Sequence, residues 1–139
     1  MNTKRILSVL ILVFISQLCL AQYTLSIQVD DVKNAEGSIL AAIYTDKNTF
    51  LKFADVYRTG GAKSIAGTTL VTIKDLPKGI YAAAIFHDEN GNDALDTNML
   101  GIPKEPVAFS IGKMKLFGPP DFEECVFELD DDMEIRIAL

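Results

Sequence analysis

The chain of 139 residues contains no tryptophan, one histidine and two cysteines, and each shortage excludes a class of function. A zinc site of three histidines cannot form when His87 is the only one. The absence of tryptophan removes the large aromatic platform expected of a sugar-cleaving cleft. Cys19 lies in an apolar N-terminal run, so Cys125 alone remains beyond it and no disulfide is expected within the folded domain. Because Cys125 follows Glu123 and Glu124, we expect a buried, unreactive thiol.

Positive charge is also scarce, with 13 basic residues against 19 acidic ones. Two of the basic residues, Lys4 and Arg5, lie at the extreme N-terminus, and without them the balance is 11 against 19, a formal net charge of −8. A domain with this charge is repelled by phosphate backbones. The composition therefore argues against nucleic acid as a partner.

The N-terminus has the pattern of a secretory signal: a charged start, the apolar run 6–15, and small residues before Gln22. This run is about half the ~20 residues that a membrane span requires, which disfavours a retained anchor. Leu18 before Cys19 disfavours a lipid-anchored cysteine. We therefore predict a signal peptide at residues 1–21 and one folded domain at residues 22–139. The domain is expected to be exported, periplasmic or extracellular, with no membrane span in the mature chain.

Beyond the signal, apolar residues alternate with polar ones or form short β-branched runs, which is typical of strands. We predict strands near residues 23–29, 38–44, 68–74, 80–87, 107–110, 125–129 and 134–139. A Gly60-Gly61 turn separates the second from the third, and a short helical segment is expected near residues 48–55. The pattern predicts an all-β fold, a single antiparallel β-sandwich of about seven strands with a long loop at residues 88–105.

That loop is the most informative segment, because it concentrates oxygen-bearing side chains after an apolar strand. Asp88, Asn90, Asn92 and Asp96 have the spacing of positions 1, 3, 5 and 9 of a calcium loop, where the backbone carbonyl of Ala94 supplies a further oxygen. Position 6 of a calcium loop is normally glycine, but this chain has Asp93 there. Position 12 is normally a bidentate glutamate, but this chain has Met99 there. A calcium site would thus need another ligand, such as Glu105, Glu89 or water.

A metal-free interpretation explains the same residues. Asp88, Asn90 and Asn92 would then bond the backbone amides of their own loop, as Asx turns do. A third interpretation places a small-ligand or hydrolase site around His87, Asp88 and Glu105, with His87 as general base. The residues alone leave these alternatives open.

Several motifs together resemble the bacterial DUF2141 family of small exported proteins. The resemblance covers essentially the whole mature chain and is carried by Leu76-Pro-Lys-Gly-Ile-Tyr81, Ile85-Phe-His-Asp-Glu-Asn-Gly-Asn92, Leu95-Asp-Thr-Asn98, Gly101-Ile-Pro-Lys-Glu-Pro106, Phe109-Ser110 and Gly118-Pro-Pro-Asp-Phe122. The family pattern has glycine where this chain has Asp93. The resemblance implies an exported single-domain protein and brings no catalytic residue. The Leu-Pro-Lys-Gly-Ile-Tyr entry to a strand is also similar to prealbumin-like (transthyretin-like) and immunoglobulin-like sandwich modules.

We therefore predict an exported, non-enzymatic β-sandwich protein without catalytic residues or an organic cofactor. Its Asp/Asn loop, with or without calcium, would serve structure or contact with a partner. The partner class is an envelope or extracellular protein or a glycan. The alternative is a small-ligand-binding protein or hydrolase that uses His87, Asp88 and Glu105.

Overall fold

The computed structural model describes residues 21–139, so the predicted signal peptide, apart from Ala21, lies outside the described residues. Strands account for most of the regular structure, and within this range no helix is long and apolar enough to cross a membrane. The elements are β1 (Gln22–Val32), β2 (Ser38–Tyr44), a 3-10 turn (Phe53–Asp55), β3 (Arg58–Lys63), β4 (Gly67–Pro77), β5 (Gly79–Asp88), β6 (Val107–Phe109), α1 (Phe122–Cys125), β7 (Phe127–Leu129) and β8 (Met133–Ala138).

The strands form two sheets that pack face to face, which confirms the all-β prediction. The first sheet has the order β4-β1-β8, and the second has the order β3-β2-β5-β6 with β7 paired to the start of β5. Most neighbours are antiparallel, but β8 runs parallel to β1. The third strand along the chain, β3, covers the predicted Gly60-Gly61 turn, so the described residues contain eight strands where about seven were expected.

The extra strand exists because two glycines act as packing residues within it. Gly60 and Gly61 lie inside β3 and pair with Ala41 and Leu40 of β2. A Cβ added to Gly60 would lie 2.6 Å from Cγ1 of Ile73, and one added to Gly61 would lie 2.7 Å from Cδ2 of Leu40. Only glycine lets these side chains approach the strand so closely. The two glycines that suggested a turn therefore serve a close contact between packed strands.

The core between the sheets follows from alternation along each strand. Leu25, Ile27 and Val29 of β1 are completely buried, and alternate residues of β5, Tyr81, Ala83 and Ile85, join the same cluster. The intervening β5 residues point away from this core. Ala82 contributes to a second cluster with Phe109 and Cys125. Strand β5 is therefore apolar on both faces, as its continuous apolar run predicts.

The segment after β2 is only partly as expected. Residues 47–51 form a turn, and Phe53–Asp55 is a single 3-10 turn. Phe50 packs against Tyr44 and Phe122, with ring centroids 5.4 and 5.6 Å apart. Phe50 is partly buried, whereas Phe53 is 55% exposed. The helical segment is thus shorter than the predicted residues 48–55.

Helix α1 was not predicted, although its signal is present in the sequence. The Asp121 side chain accepts the Glu124 backbone N–H, and the Glu124 side chain accepts the Asp121 N–H, at 2.6 Å. This reciprocal capping box, directly after Pro119-Pro120, is a helix-start pattern. The helix delivers Cys125 to a fully buried position, as expected, and burial raises the pKa of its thiol.

Candidate functional site

His87 ends the core-facing row of β5 and is completely buried. Its Nε2 lies 2.7 Å from the Glu36 carbonyl oxygen and 3.1 Å from Ser64 Oγ. A carbonyl only accepts, so Nε2 carries a proton and donates it to Glu36. Ser64 in turn donates its hydroxyl proton to the Asn34 carbonyl at 2.8 Å. His87 thus joins the β1–β2 connection to the β3–β4 connection.

This arrangement is unsuited to general-base chemistry. The His87 nitrogen nearest a hydroxyl already bears the proton that a base must accept. Its other ring nitrogen, Nδ1, is buried without a hydrogen-bond partner among the described residues and lies 3.9 Å from Glu89 Oε1. No solvent-exposed side of the ring remains to receive a substrate. The geometry therefore gives His87 a structural position between loops.

Asp88 is completely buried at the end of β5, and its carboxylate organises the segment that follows. Oδ1 accepts the backbone N–H groups of Gly91 at 2.8 Å and Asn92 at 3.1 Å, and Oδ2 accepts that of Asp93 at 2.8 Å. Three consecutive amides thus converge on one anion, which is how a buried charge is satisfied. The chain coils tightly around the carboxylate as a result.

Glu105 holds the same segment from its far end. The side chain is 7% exposed, and Oε1 accepts the Glu89 N–H while Oε2 accepts the Asp96 N–H, both at 3.0 Å. One carboxylate therefore ties the beginning of the coil to its end. Both of its oxygens bind backbone amides, so Glu105 is first of all a structural residue. We define residues 89–106, between β5 and β6, as the Asx loop.

The remaining predicted ligands lie together on the outside of this coil. Asn90 Nδ2 donates to Asp96 Oδ2 at 2.6 Å, and Asn92 Nδ2 donates to Asp96 Oδ1 at 3.3 Å. The amide oxygens of Asn90 and Asn92 accept the Asn92 and Ala94 backbone N–H groups. These are the hydrogen bonds that the metal-free interpretation predicts. A calcium ion would require both amides to turn their oxygens towards Asp96.

The described part of the chain, residues 21–139, contains no group of three or more His, Cys, Asp or Glu side chains able to hold a metal. Calcium, however, also binds the oxygens of asparagine side chains and of backbone carbonyls, and these are not counted among His, Cys, Asp and Glu. Within the loop, the side chains of Asn90, Asn92 and Asp96 contact one another, whereas the Asp88 carboxylate lies inside the coil on backbone amides. Three of the predicted calcium ligands are therefore in contact, in an arrangement already satisfied by hydrogen bonds, and the calcium prediction stays a prediction.

An apolar groove lies beyond the Asx loop, on the outer face of the second sheet. Its volume is about 390 Å³, within the usual range of binding clefts. The sheet supplies the floor through Ala42, Ala84 and Phe86, and the Asx loop supplies Leu95 and Pro103. Met114 and Pro119 line the other side; they belong to residues 110–121, which we define as the apolar loop.

Both loops that line the groove also expose large apolar side chains. Met99 and Leu100 of the Asx loop are 104% and 83% exposed, and Leu116 and Phe117 of the apolar loop are 89% and 96% exposed. Single exposed apolar residues are common, but several large ones on the loops that line one apolar groove make this face a candidate contact surface.

Sequence reasoning missed this groove. Its signal was Ala84 on the outward face of β5, paired with Ala42 of β2, where small side chains leave space above the sheet. The outer layer over β5 consists of short loops and α1, which cover only part of its face.

The fold and the site together define the class of protein: an all-β domain of two packed sheets with a structured polar loop beside an apolar groove. The DUF2141 family model, described as an uncharacterized protein conserved in bacteria, matches residues 27–136. The chain therefore belongs to the DUF2141 family, as its motifs suggested. Neither a curated protein nor a solved structure matches the chain, and the prealbumin-like or immunoglobulin-like topology stays a prediction.

Proposed function

We propose that the protein is an exported, non-enzymatic contact module that receives an apolar part of a protein partner outside the cytoplasm. The observation that carries this proposal is the apolar groove, together with the exposed Met99, Leu100, Leu116 and Phe117 on the two loops that line it. Such exposure is unfavourable in water and is relieved when a partner covers it. A glycan fits less well, because the groove offers few polar groups and the chain has no tryptophan.

We propose a non-enzymatic function because of the arrangement around His87. The ring is buried, its Nε2 proton is donated to Glu36, and the nearby carboxylates of Asp88 and Glu105 bind backbone amides. None of the three presents an unengaged group to the apolar groove. The alternative hydrolase would have to expose them first.

Site-specific photocrosslinking in the cells that produce the protein tests the contact surface. A benzophenone side chain at Phe117 should yield an adduct of discrete mass, whereas the same group at Leu70, 51% exposed on β4, should yield none. The variant Ala84→Phe, which fills the groove floor, should abolish the adduct while the melting temperature stays near that of the parent. Equal crosslinking from both positions, or none from either, would contradict the proposal.

Export is tested by the mass of the mature protein. We expect the purified chain to begin at Gln22 and to be recovered from the periplasm or medium, since the N-terminal pattern predicts cleavage after Ala21. A chain recovered from the cytoplasm with Met1 intact would remove this part of the proposal.

For the Asx loop we propose calcium binding through Asp88, Asn90, Asn92, Asp96 and the Ala94 carbonyl. The support is that Asp96 already contacts both asparagine side chains, so a cation would replace short-range contacts without moving the backbone far. At about one hundred times its Kd, calcium stabilises the folded state by about 2.7 kcal/mol, which raises the melting temperature by several degrees.

Thermal melts in EDTA and in millimolar calcium measure this effect, with magnesium as the ionic control. The Asp96→Asn variant should lose the calcium-dependent rise and keep the melt seen in EDTA. Superimposable melts of the parent protein in EDTA and calcium would leave the metal-free interpretation.

A further inference from the structure

The apolar groove continues into a second lobe, which makes the site elongated. This lobe, about 340 Å³, lies over Gly60 and Gly61 of β3. Both lobes are lined by Ala42, Phe53, Phe86 and Asp93, so they meet at these residues. The combined groove crosses β3, β2, β5 and β6. An extended chain fits such a shape better than a compact ligand does.

The junction of the two lobes holds a pair of aromatic rings. Phe53 and Phe86 pack edge to face with their centroids 6.1 Å apart. Phe53 is 55% exposed although it lies between two apolar lobes. Exposed aromatic side chains at the centre of a contact surface are frequent anchors of protein–protein binding.

Within residues 21–139, Asp93 is the one charged residue that lines either lobe. Its backbone has φ of 59°, a left-handed conformation that is unfavourable for most non-glycine residues. The backbone N–H is held by Asp88, so the conformation is imposed by the coil. Among the described residues the Asp93 carboxylate forms no hydrogen bond and no ion pair. An unpaired carboxylate at the meeting point of two apolar lobes attracts a cation.

The net charge of the chain also favours a positively charged partner. Beyond the predicted cleavage site the formal net charge is −8. On the apolar loop, Lys115 is engaged by Asp121 at 2.8 Å and by Glu124 at 2.7 Å, so its charge is largely neutralised. A basic partner is therefore steered towards this protein and an acidic one is repelled.

We propose that the groove binds an extended basic segment of a partner polypeptide. A large apolar side chain of the segment fills the lobe beneath the Asx loop, and a neighbouring lysine or arginine pairs with Asp93. This inference rests on the proposed function and adds to it the charge of the partner. The apolar side chain supplies most of the affinity, and the Asp93 pair supplies the preference for a basic sequence.

The test is a nitrogen–proton NMR titration of the mature protein with short acetylated peptides of matched length. The first contains lysine–phenylalanine–leucine–lysine, the second replaces both lysines with glutamate, and the third replaces phenylalanine and leucine with serine. The basic apolar peptide should shift the amide signals of Phe53, Phe86 and Asp93. It should bind about three- to fivefold more tightly than the glutamate peptide, the range of one exposed ion pair.

The variant Asp93→Asn should reduce this preference to less than about twofold while phenylalanine-dependent binding persists. Asparagine tolerates the left-handed conformation, so the coil is expected to keep its fold. Asp131→Asn, in the exposed β7–β8 turn, is the matched control and should leave the preference unchanged.

The possible outcomes separate this inference from the proposed function. Equal binding of the lysine and glutamate peptides, at the same amides, would overturn the charge preference and leave the apolar contact surface standing. Equal binding of the serine peptide would show a diffuse charge effect and overturn the inference. Absence of phenylalanine-dependent shifts at the groove would count against the inference and the contact surface together.

Discussion

The Asx loop and the apolar loop border the same groove but are held in opposite ways. The Asx loop is built around two buried carboxylates, Asp88 and Glu105, which together accept five backbone N–H groups. The apolar loop has its ion pairs in solvent and its largest side chains, Leu116 and Phe117, almost fully exposed. Polar residues thus hold the Asx loop in place, and exposed apolar residues form the proposed contact surface. The usual assignment of apolar residues to stability and polar ones to binding is reversed here.

The largest effect on the stability of the Asx loop is expected from Gly37→Ala, because Gly37 packs against the backbone of Asp88, where the loop begins. The Cβ would lie 1.8 Å from the Asp88 carbonyl oxygen, at a position whose φ is +61°. Backbone must move to relieve such an overlap, so we expect a loss of about 4 kcal/mol or more in the free energy of unfolding, measured in urea. Gly91→Ala is the matched control, because its φ is +72° with open space around it. Similar losses for both variants would show that the close contact is unimportant.

The second largest effect is expected from removing the anion at the centre of the coil. Asp88→Ala leaves three backbone N–H groups without their acceptor and should cost about 3–5 kcal/mol of unfolding free energy. Asp88→Asn keeps one acceptor oxygen and should cost roughly half as much. Hydrogen exchange of the Gly91, Asn92 and Asp93 amides should accelerate in the alanine variant. The exposed Asp55→Ala should change neither quantity, and unaltered exchange at the three amides would refute the role of Asp88.

The smallest effect is expected from Lys115→Met in the apolar loop. Hydrogen bonding by Lys115 lowers the pKa of Glu124, so the pair contributes stability above the ordinary glutamate pKa and loses it as pH falls through the lowered value. In the variant the Glu124 pKa should rise, which carbon NMR of its carboxyl group measures directly. Stability near neutral pH should change little, because the pair lies in solvent. A loss as large as that of Asp88→Ala would abolish the contrast between the two loops.

Much of the fold could be predicted because alternation reports directly on which side of a strand is buried. The predicted strands 38–44 and 80–87 coincide closely with β2 and β5. Strand β3 was missed because Gly60 and Gly61 carry no apolar pattern, and their role depends on Ile73 and Leu40 from elsewhere in the chain. The parallel pairing of β8 with β1 joins residues more than a hundred positions apart, and local pattern does not encode it.

The candidate site was predictable in its residues but only partly in their roles. The spacing indicated a polar coil, in which the side chains of Asn90, Asn92 and Asp96 contact one another while the Asp88 carboxylate binds backbone amides. Glu105 was expected as an additional metal ligand, and the structure shows it tying the Glu89 amide to the Asp96 amide. This role depends on how the loop returns to the sheet. A sequence pattern identifies donors and acceptors but does not assign partners that are distant along the chain.

By itself the sequence determined the periodicity of the strands, the acidic balance, the polar coil after β5 and the predicted export signal, since each is a local or additive property of the chain. Only the tertiary structure decided that His87 is enclosed between two connections and that the outer face of β5 is left partly uncovered. It also decided that Asp93 lies between the two lobes of the groove. Burial and proximity arise from packing between residues far apart in sequence, so they become visible only when the sheets and loops are assembled.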